Sequence, residues 1–318
     1  MIKVRSLHKQ FGVVRAVNDL SFSVKKGEVL GLLGPNGAGK TTTMKIITGF
    51  MPATSGEVEV CGYDIRSHPR EAKRHIGYVP EGGPLYGEMT PAALLDFVAS
   101  IRHMSGAARR RRIKTVVDAL ELQPVMLRRI DTLSKGFKRR VALAQAVLVD
   151  PEVLILDEPT DGLDPNQKHQ VRNLIRSISD EKGIIISTHL LDEVDAVCDR
   201  AIIIDQGRIV LQGTPHELHA RAAERGAVYI RVRASEGLRA VALIREKAQA
   251  SCMVEEENEE TWLIRAAGAG TVPSLAQIGT ILVRSDIELL ELRNEGGSLE
   301  EVFRRVTASR AEPATVSP

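Results

Sequence analysis

Residues 34–41 read Gly-Pro-Asn-Gly-Ala-Gly-Lys-Thr, and this stretch predicts the local architecture of the first part of the chain. It fits the Walker A pattern of glycine, four spacers, glycine, lysine and then serine or threonine. The aliphatic run at 28–33 before it predicts a buried strand, and residues 42–49 after it predict a helix. A strand, a glycine-rich turn and a helix start together point backbone N–H groups at phosphate oxygens.

Two side chains of this loop carry chemistry. Lys40 is placed to neutralise the β- and γ-phosphates of a nucleoside triphosphate, and the Thr41 hydroxyl is placed to hold Mg²⁺. The alternative is a flexible glycine turn before an ordinary helix, but the strand, the spacing, the lysine and the threonine all favour a phosphate site. We therefore predict binding of a nucleoside triphosphate with Mg²⁺.

The bulk composition is that of an ordinary globular protein. A length of 318 residues suggests two domains, and 43% apolar residues allow a sizeable core. The net charge of +2 gives no field that would draw the chain to nucleic acid or to a membrane. Three cysteines without metal spacing (Cys61, Cys198, Cys252) fit a reducing cytosol. The N-terminus lacks a secretion signal and no apolar run approaches the roughly 20 residues of a membrane span, so we expect a cytoplasmic chain that meets membranes through a partner.

The order of apolar runs predicts an α/β fold. Compact aliphatic runs predict strands at 2–7, 22–24, 29–33, 57–60, 76–79, 153–156, 184–187 and 201–204. Between about 90 and 149 the apolar residues recur at helical spacing instead. We predict an α/β nucleotide-binding domain over residues 1–218, with a helical subdomain at about 82–149.

The pattern changes after residue 218. We predict strands at 228–232, 252–255, 261–265 and 281–292, with helices at 238–248, near Ser274 and from Ser298. This βαββαβ order predicts a small α+β module of the ferredoxin-like kind over residues 219–307. Residues 308–318 are small and polar, and we expect them to be disordered.

A second motif, VLILDEPTDGLD at 153–164, places two acids after a strand. Asp157 at the strand end can reach Mg²⁺, and Glu158 is the best candidate for the general base, a role that contributes about 10²–10⁴-fold. A turn with solvated acids is the alternative. The neighbouring strand ends in Thr188-His189, and beside these acids His189 could orient the attacking water over the γ-phosphate.

A third motif, LSKGF at 133–137, precedes a helix. Ser134 is a good N-cap and Gly136 exposes backbone N–H groups, so this helix start can bind an anion. A plain capped helix remains the alternative at this point.

Together these segments resemble the ATPase subunits of ATP-binding cassette (ABC) transporters over residues 1–218. GPNGAGKTT (34–42) matches Walker A, LSKGFKRR (133–140) the family signature, LILDEPT (154–160) Walker B, DGLD (161–164) the D-loop and STH (187–189) the switch histidine. The resemblance implies catalytic roles for Lys40, Glu158 and His189 and metal ligation by Thr41, Asp157 and Glu81. It implies contacts to ATP from Phe11, Gly34, Asn36, Gly37, Gly39, Lys40, Thr41, Thr42, Ser134 and Gly136. Phe11 would stack on adenine, or would simply belong to the core.

The sequence departs from the family pattern in two places. In the signature, Lys135 and Phe137 stand where the family has glycine and glutamine, but Ser134 and Gly136 are kept, and catalysis should survive. Glu81 stands where the family has the Q-loop glutamine. We hypothesise that this carboxylate senses Mg²⁺ and the membrane partner together.

The resemblance also implies an assembly. The stretch ELLELRNEGGSLEEVFRRVT (288–307) is similar to ATPase subunits of exporters of drugs, ions, polysaccharides or gliding-motility factors. In that branch a head-to-tail homodimer clamps two ATP molecules between Lys40 of one copy and Ser134 of the other, on the cytoplasmic face of a separately encoded permease. The permease would dock near residues 82–90. Four apolar residues of the last helix would pack within the module or meet a partner: Leu299, Val302, Phe303 and Val306.

Two other classes of ABC protein fit this sequence less well. A soluble ABC ATPase of ribosomes would carry two cassettes, and one of DNA repair would carry a long coiled coil, neither of which is visible here. A regulatory subunit that only binds ATP would have a damaged catalytic set. The basic run at 109–112 predicts a solvated helix face, or contact with the permease or anionic headgroups. No aromatic residues interleave with it, which disfavours nucleic acid.

Overall fold

The computed structural model describes residues 1–83, 85–224, 227–268 and 274–294. The chain divides into two compact units, one from Met1 to Pro215 and one that begins at His216. In the described part of the chain, no helix is long and apolar enough to cross a membrane.

The first unit combines two sheets with surrounding helices. Its strands are β1 (Ile2–Phe11), β2 (Val14–Val24), β3 (Glu28–Leu33), β4 (Ser55–Val60), β5 (Tyr63–Asp64), β6 (Ile76–Val79), β7 (Val153–Asp157), β8 (Gly183–Thr188), β9 (Arg200–Asp205) and β10 (Arg208–Gly213). Its helices are α1 (Lys40–Ile47), α2 (Pro69–Arg74), α3 (Pro91–Ile101), α4 (Gly106–Ala119), α5 (Lys135–Val147), α6 (Pro165–Ser179) and α7 (Leu191–Val197).

The central sheet runs β10-β9-β3-β8-β7-β6, and all its strands except β10 are parallel. The strands β7 and β8 are buried along their whole length, as expected where helices cover both faces. A smaller antiparallel sheet runs β2-β1-β4-β5. The main core, which includes Leu30, Ile46 and Val58, takes side chains from both sheets and from α1.

Helices α3, α4 and α5 form the insertion between β6 and β7. The helix α3 begins where the sequence predicts, because Pro91 occupies its first turn and the Thr90 side chain accepts a hydrogen bond from the Ala93 N–H at 3.2 Å. This arrangement confirms the predicted α/β core with a helical insertion.

The second unit follows the predicted βαββαβ order. After α8 (Pro215–Glu224) it contains β11 (Ala227–Arg233), α9 (Gly237–Ala248), β12 (Ala250–Glu257), β13 (Thr261–Gly268), α10 (Leu275–Arg284) and β14 (Leu289–Asn294). The antiparallel sheet order β12-β13-β11-β14 is that of a ferredoxin-like module. Its own core includes Ile230, Ile264 and Leu282.

One strand prediction here was wrong. The run 281–292 was expected to be a single strand, but α10 continues to Arg284 and β14 begins only at Leu289. Ile278 and Leu282 lie one helical turn apart and are both fully buried, so helical packing accounts for the apolar run. The predicted helix from Ser298, with Leu299, Val302, Phe303 and Val306, and the tail 308–318 lie outside the described residues.

Candidate functional site

The candidate site lies at the carboxyl ends of β3, β8 and β7, which are neighbours in the central sheet. The strands β7 and β8 end at nearly the same position along the sheet, because Asp157 at the end of β7 is paired with Ser187. The segments that follow these strand ends carry three of the residues predicted from sequence: Lys40, Glu158 and His189. Parallel strands therefore bring together motifs that lie more than a hundred positions apart.

Lys40 lies buried at the start of α1. Its Nζ donates hydrogen bonds to the carbonyls of Gly34 at 2.6 Å and Pro35 at 3.3 Å, and it lies 3.9 Å from Glu158 Oε1. Burial lowers the pKa of Lys40, whereas the nearby carboxylates, first of all Glu158, act in the opposite direction. The Lys40 ammonium group is thus held inside the loop that would also bind the phosphates.

The rest of the loop is shaped by its backbone. Gly39 has φ +102°, and a Cβ there would lie 2.3 Å from the Ala16 carbonyl oxygen, so only glycine fits. The other predicted nucleotide contacts differ in exposure. Gly34 is buried, Thr41 and Thr42 are half-buried, and Asn36 and Gly37 are exposed at the loop tip.

Asp157 is the residue that best fits a metal ligand. Its side chain is fully buried, and its Oδ1 accepts hydrogen bonds from Ser187 Oγ at 2.5 Å and Thr41 Oγ1 at 3.4 Å. Its Oδ2 has no hydrogen-bond partner among the described residues. A buried carboxylate oxygen without a partner, next to a threonine hydroxyl, is a donor set that suits Mg²⁺.

Glu158 follows in a left-handed conformation with φ +50°. Its ionised carboxylate can only accept, so the contact of Oε2 with His189 Nδ1 at 2.9 Å places a proton on that ring nitrogen. Burial raises the pKa of Glu158, and the charges of His189 and Lys40 partly offset that effect. A carboxylate with a raised pKa, held by a histidine, is suited to accept a proton near neutral pH.

The signature residues lie elsewhere in the same unit. Ser134 is exposed and caps α5, where its Oγ accepts a hydrogen bond from the Phe137 N–H at 3.4 Å. Gly136 is buried, and a Cβ there would lie 2.5 Å from the Gln167 side chain. In the part of the chain that the structure describes, neither Ser134 nor Gly136 makes a hydrogen bond to the phosphate-binding loop.

Two further predicted residues lie at the edges of the site. Glu81 is exposed and lines a cavity of about 250 Å³ together with Glu158 and Arg139. Phe11 is 45% exposed and has Lys9 Nζ 4.9 Å from its ring centroid, so its ring is not part of the buried core.

The basic run at 109–112 is partly used inside the subunit. Arg109 forms an ion pair with Asp96, and Arg112 donates to the carbonyls of Val147 and Leu148 at 2.7 Å and 3.0 Å. These two side chains therefore stabilise the helical insertion itself.

One buried residue of the site does not stand out in the sequence. Arg139 in α5 is only 7% exposed, and its guanidinium donates to main-chain carbonyls of the turn after β7. Helical spacing could have pointed to it, because Gly136, Arg139 and Leu143 share the buried face of α5.

Comparison with known proteins bears on this fold and site. The sequence profile of the ABC transporter family matches residues 17–161. Over 218 residues the chain is 40% identical to the Nod factor export ATP-binding protein I of Burkholderia orbicola, covering 68% of this chain and 72% of that protein. Over 310 residues it is 34% identical to the linearmycin resistance ATP-binding protein LnrL of Bacillus subtilis, covering 96% and 98%.

A solved structure adds a view of the same fold with nucleotide. The dimeric post-hydrolysis state of the ATP-binding cassette MJ0796, bound to ADP and Pi, matches with a TM-score of 0.63 at 25% identity. The match covers 68% of this chain and 99% of that one.

The fold defines an α/β nucleotide-binding cassette with a helical insertion. The chain belongs to the ABC transporter family, as an ATP-binding and ATP-hydrolysing subunit of the kind found with exporters. The resemblance, the fold class and the ATPase activity predicted from the sequence are thereby confirmed.

Proposed function

We propose that this subunit hydrolyses Mg²⁺-ATP to drive export through a separate integral membrane permease. The observation that supports it most directly is the meeting of Lys40, Glu158 and His189 at the ends of adjacent parallel strands. The names of two relatives refer to Nod factor export and to linearmycin resistance, which agrees with export. The exported substrate would be selected mainly by the permease.

In this proposal the phosphate-binding loop holds the triphosphate. Backbone N–H groups between Gly34 and Gly39 face the phosphates, Lys40 neutralises the β- and γ-phosphates, and Thr42 adds a contact at the helix start. Asn36 and Gly37 lie at the exposed tip of the loop, and the exposed ring of Phe11 is available to stack on adenine.

We assign the metal to Asp157 and Thr41, with Glu81 at the edge of its shell. The unpartnered Oδ2 of Asp157 supports this assignment. Bound with the nucleotide, Mg²⁺ would neutralise charge on the β- and γ-phosphate oxygens. Glu81 would report the state of this site to the permease, because it lines one cavity with Glu158 and directly precedes the predicted docking segment at 82–90.

Glu158 is the proposed general base. Its carboxylate accepts the proton of the attacking water, and His189 holds the carboxylate in place through the Nδ1–H hydrogen bond. Because burial raises the pKa of Glu158, the carboxylate is a stronger base than an exposed glutamate would be. Lys40 Nζ lies 3.9 Å from Glu158 Oε1 and would offset part of the negative charge of the carboxylate and of the phosphates.

We further propose a head-to-tail homodimer. Ser134 and Gly136 make no hydrogen bond to the phosphate-binding loop of their own copy within the described residues, and a second copy could present them to the γ-phosphate. Two ATP molecules would then lie between Lys40 of one copy and Ser134 of the other. The dimeric arrangement of the MJ0796 cassette supports this assembly.

The permease would dock in a groove of about 420 Å³ beside α3. Exposed apolar side chains line it, among them Phe50, Tyr86, Phe97 and Ile101. Tyr86 and Phe97 meet edge to face with ring centroids 6.0 Å apart, which presents a preformed aromatic surface to the partner. Such docking would place the subunit at the cytoplasmic face of the membrane. We take residues 1–218 as the ATPase domain and 219–307 as an accessory domain.

The central test is Glu158→Gln. This variant should bind ATP, lose steady-state hydrolysis by about 10²–10⁴-fold and form a dimer on gel filtration only with ATP and Mg²⁺. Lys40→Ala should instead lose nucleotide affinity and stay monomeric. Normal hydrolysis by Glu158→Gln would refute the base assignment, and the absence of Mg²⁺-dependent hydrolysis by wild type with its permease would refute the function.

A further inference from the structure

Arg139 makes an unusual set of contacts for a buried cation. Its Nε donates to the Pro159 carbonyl at 2.9 Å, and its Nη2 donates to the carbonyls of Asp157, at 2.7 Å, and of Glu158. Its Nη1 donates to the Pro80 carbonyl at 3.4 Å. One guanidinium therefore binds three consecutive carbonyls that carry the proposed metal ligand and the proposed general base.

The backbone at Glu158, whose carbonyl Arg139 binds, has an unfavourable conformation. Glu158 has φ +50°, and a residue other than glycine in a sparsely populated region costs on the order of 1–3 kcal/mol and persists only where its surroundings impose it. On one side, Ser187 accepts hydrogen bonds from the Glu158 N–H through its Oγ at 2.9 Å and its carbonyl at 3.2 Å. On the other side, the Glu158 carbonyl is held by Arg139.

The same guanidinium reaches the segment after β6. The Pro80 carbonyl also accepts a hydrogen bond from the Gly83 N–H at 3.0 Å, and a Cβ on Gly83 would lie 3.5 Å from Arg139 Nη1. Arg139 thus lies where α5, the turn after β7 and the segment that carries Glu81 come together. In the described part of the chain its hydrogen bonds all go to main-chain carbonyls, a geometry that a planar fork of five donors can satisfy and a lysine cannot.

We infer that Arg139 is a positioning residue for the hydrolytic reaction: it holds the turn at 157–159 so that the Glu158 carboxylate stays on His189 and faces the attacking water. The inference rests on the proposed role of Glu158 as general base. Because Arg139 lies in the helix that Ser134 caps, a displacement of α5 would move the base of the same subunit. A movement of the N-terminal end of α5, where Ser134 lies, would then be transmitted to Glu158 within the same copy.

The test compares Arg139→Met and Arg139→Lys with a matched control, Arg112→Met. Arg112 also binds main-chain carbonyls in the helical insertion, but at the far end of α5, so its loss lowers stability without reaching the turn after β7. For Arg139→Met we expect kcat to fall by about 10- to 100-fold, with KM for ATP within about 3-fold, because a small misplacement of a catalytic group can cost about 100-fold. Arg139→Lys should recover part of the rate, and Arg112→Met should keep kcat within about 2-fold.

A double variant tests whether Arg139 acts through Glu158. In single-turnover hydrolysis, Glu158→Gln with Arg139→Lys should be no slower than Glu158→Gln alone, because residues that act as a unit are not additive. The role of Arg139 would be overturned if the rate losses of the two single variants multiply in the double variant. It would also be overturned if the kcat of Arg139→Met equals that of wild type or of Arg112→Met. If Arg139→Met does not fold, a kcat of Arg139→Lys within about 2-fold of wild type overturns it equally. Full activity of Glu158→Gln would instead overturn the proposed base, and with it this inference.

Discussion

At the scale of single residues, Glu158 is the side chain whose proposed function as general base conflicts with the stability of the folded protein. Burial raises its pKa above the usual 4.5, which means that its ionised form is less favourable in the folded protein than in the unfolded chain. A general base must be ionised to work. The ionised carboxylate at neutral pH therefore carries a cost in stability that the nearby charges of His189 and Lys40 only partly offset.

This cost predicts that Glu158→Gln stabilises the protein in the absence of nucleotide. Between pH 4.5 and the higher pKa of folded Glu158, the folded state binds more protons than the unfolded state, so the free energy of unfolding of wild type falls as pH rises. Glutamine does not titrate. The thermal midpoint of Glu158→Gln should therefore exceed that of wild type by more at pH 8 than at pH 5, by about 2–4 °C for each kcal/mol of difference.

Glu59 provides a control whose pKa is lowered in the folded protein, whereas that of Glu158 is raised. It accepts a hydrogen bond from Lys3 Nζ at 2.8 Å, and this contact lowers the pKa of Glu59. The variant Glu59→Gln should be equal to or slightly less stable than wild type at pH 8, and the deficit should vanish as pH falls below 4.5. An equal gain for both glutamine variants would show that the effect is not specific to the site.

At the scale of elements, a strand or helix can be predicted from the sequence where its pattern of apolar residues matches the faces that are buried. The run at 153–156 is aliphatic because β7 is covered on both faces, so the strand, its end and the placement of Asp157 could all be predicted. The run at 281–283 is also aliphatic, but it belongs to α10, and a short apolar run does not distinguish a strand from a buried helical turn.

The signature helix shows a second limit. The motif contains two adjacent arginines, and helical spacing favours Arg139 for the buried face of α5 but does not reveal what its guanidinium binds. Arg140, whose side chain is 12% exposed, lies against Phe137 and Glu121, whereas Arg139 is enclosed by carbonyls of other segments. Such tertiary hydrogen bonds leave no spacing pattern in the chain, which is why the contact with the Glu158 turn required the structure.

The helix α3 carries the next prediction. Phe97 is 42% exposed beside Tyr86, and replacing it with serine should weaken binding to the permease without changing ATP hydrolysis by the isolated subunit. The measurement is co-purification with the permease from membranes, with the ATPase rate of the soluble subunit in parallel. Leu127→Ser is a matched control, because Leu127 is exposed on the same insertion but does not line the groove.

Unchanged recovery of the permease with Phe97→Ser, or an equal loss with Leu127→Ser, would count against the groove as the docking surface. A second substitution in the same groove, Phe50→Ser, should reproduce the loss. Phe50 follows α1 rather than α3, so agreement between the two variants would assign the effect to the groove and not to one helix.

At the scale of the whole molecule, the two units differ in what they can bind. The first encloses a core around β3, β7 and β8 and contains the residues that we propose to bind the nucleotide. The second encloses its own core of aliphatic side chains between one sheet and the helices α9 and α10. A unit with its own buried core can unfold as a unit of its own.

Calorimetry of the wild-type chain should therefore show two transitions, of which only the larger responds to nucleotide. With ADP and Mg²⁺ at a hundred times the dissociation constant, binding stabilises the folded cassette by about 2.7 kcal/mol, which corresponds to a rise of about 5–10 °C. The smaller transition should stay in place, and Lys40→Ala should abolish the shift of the larger one because the ammonium group is lost from the phosphate loop. Two transitions that move together, or a shift that survives in Lys40→Ala, would mean that nucleotide stabilises the molecule by a route other than the loop at residues 34–41.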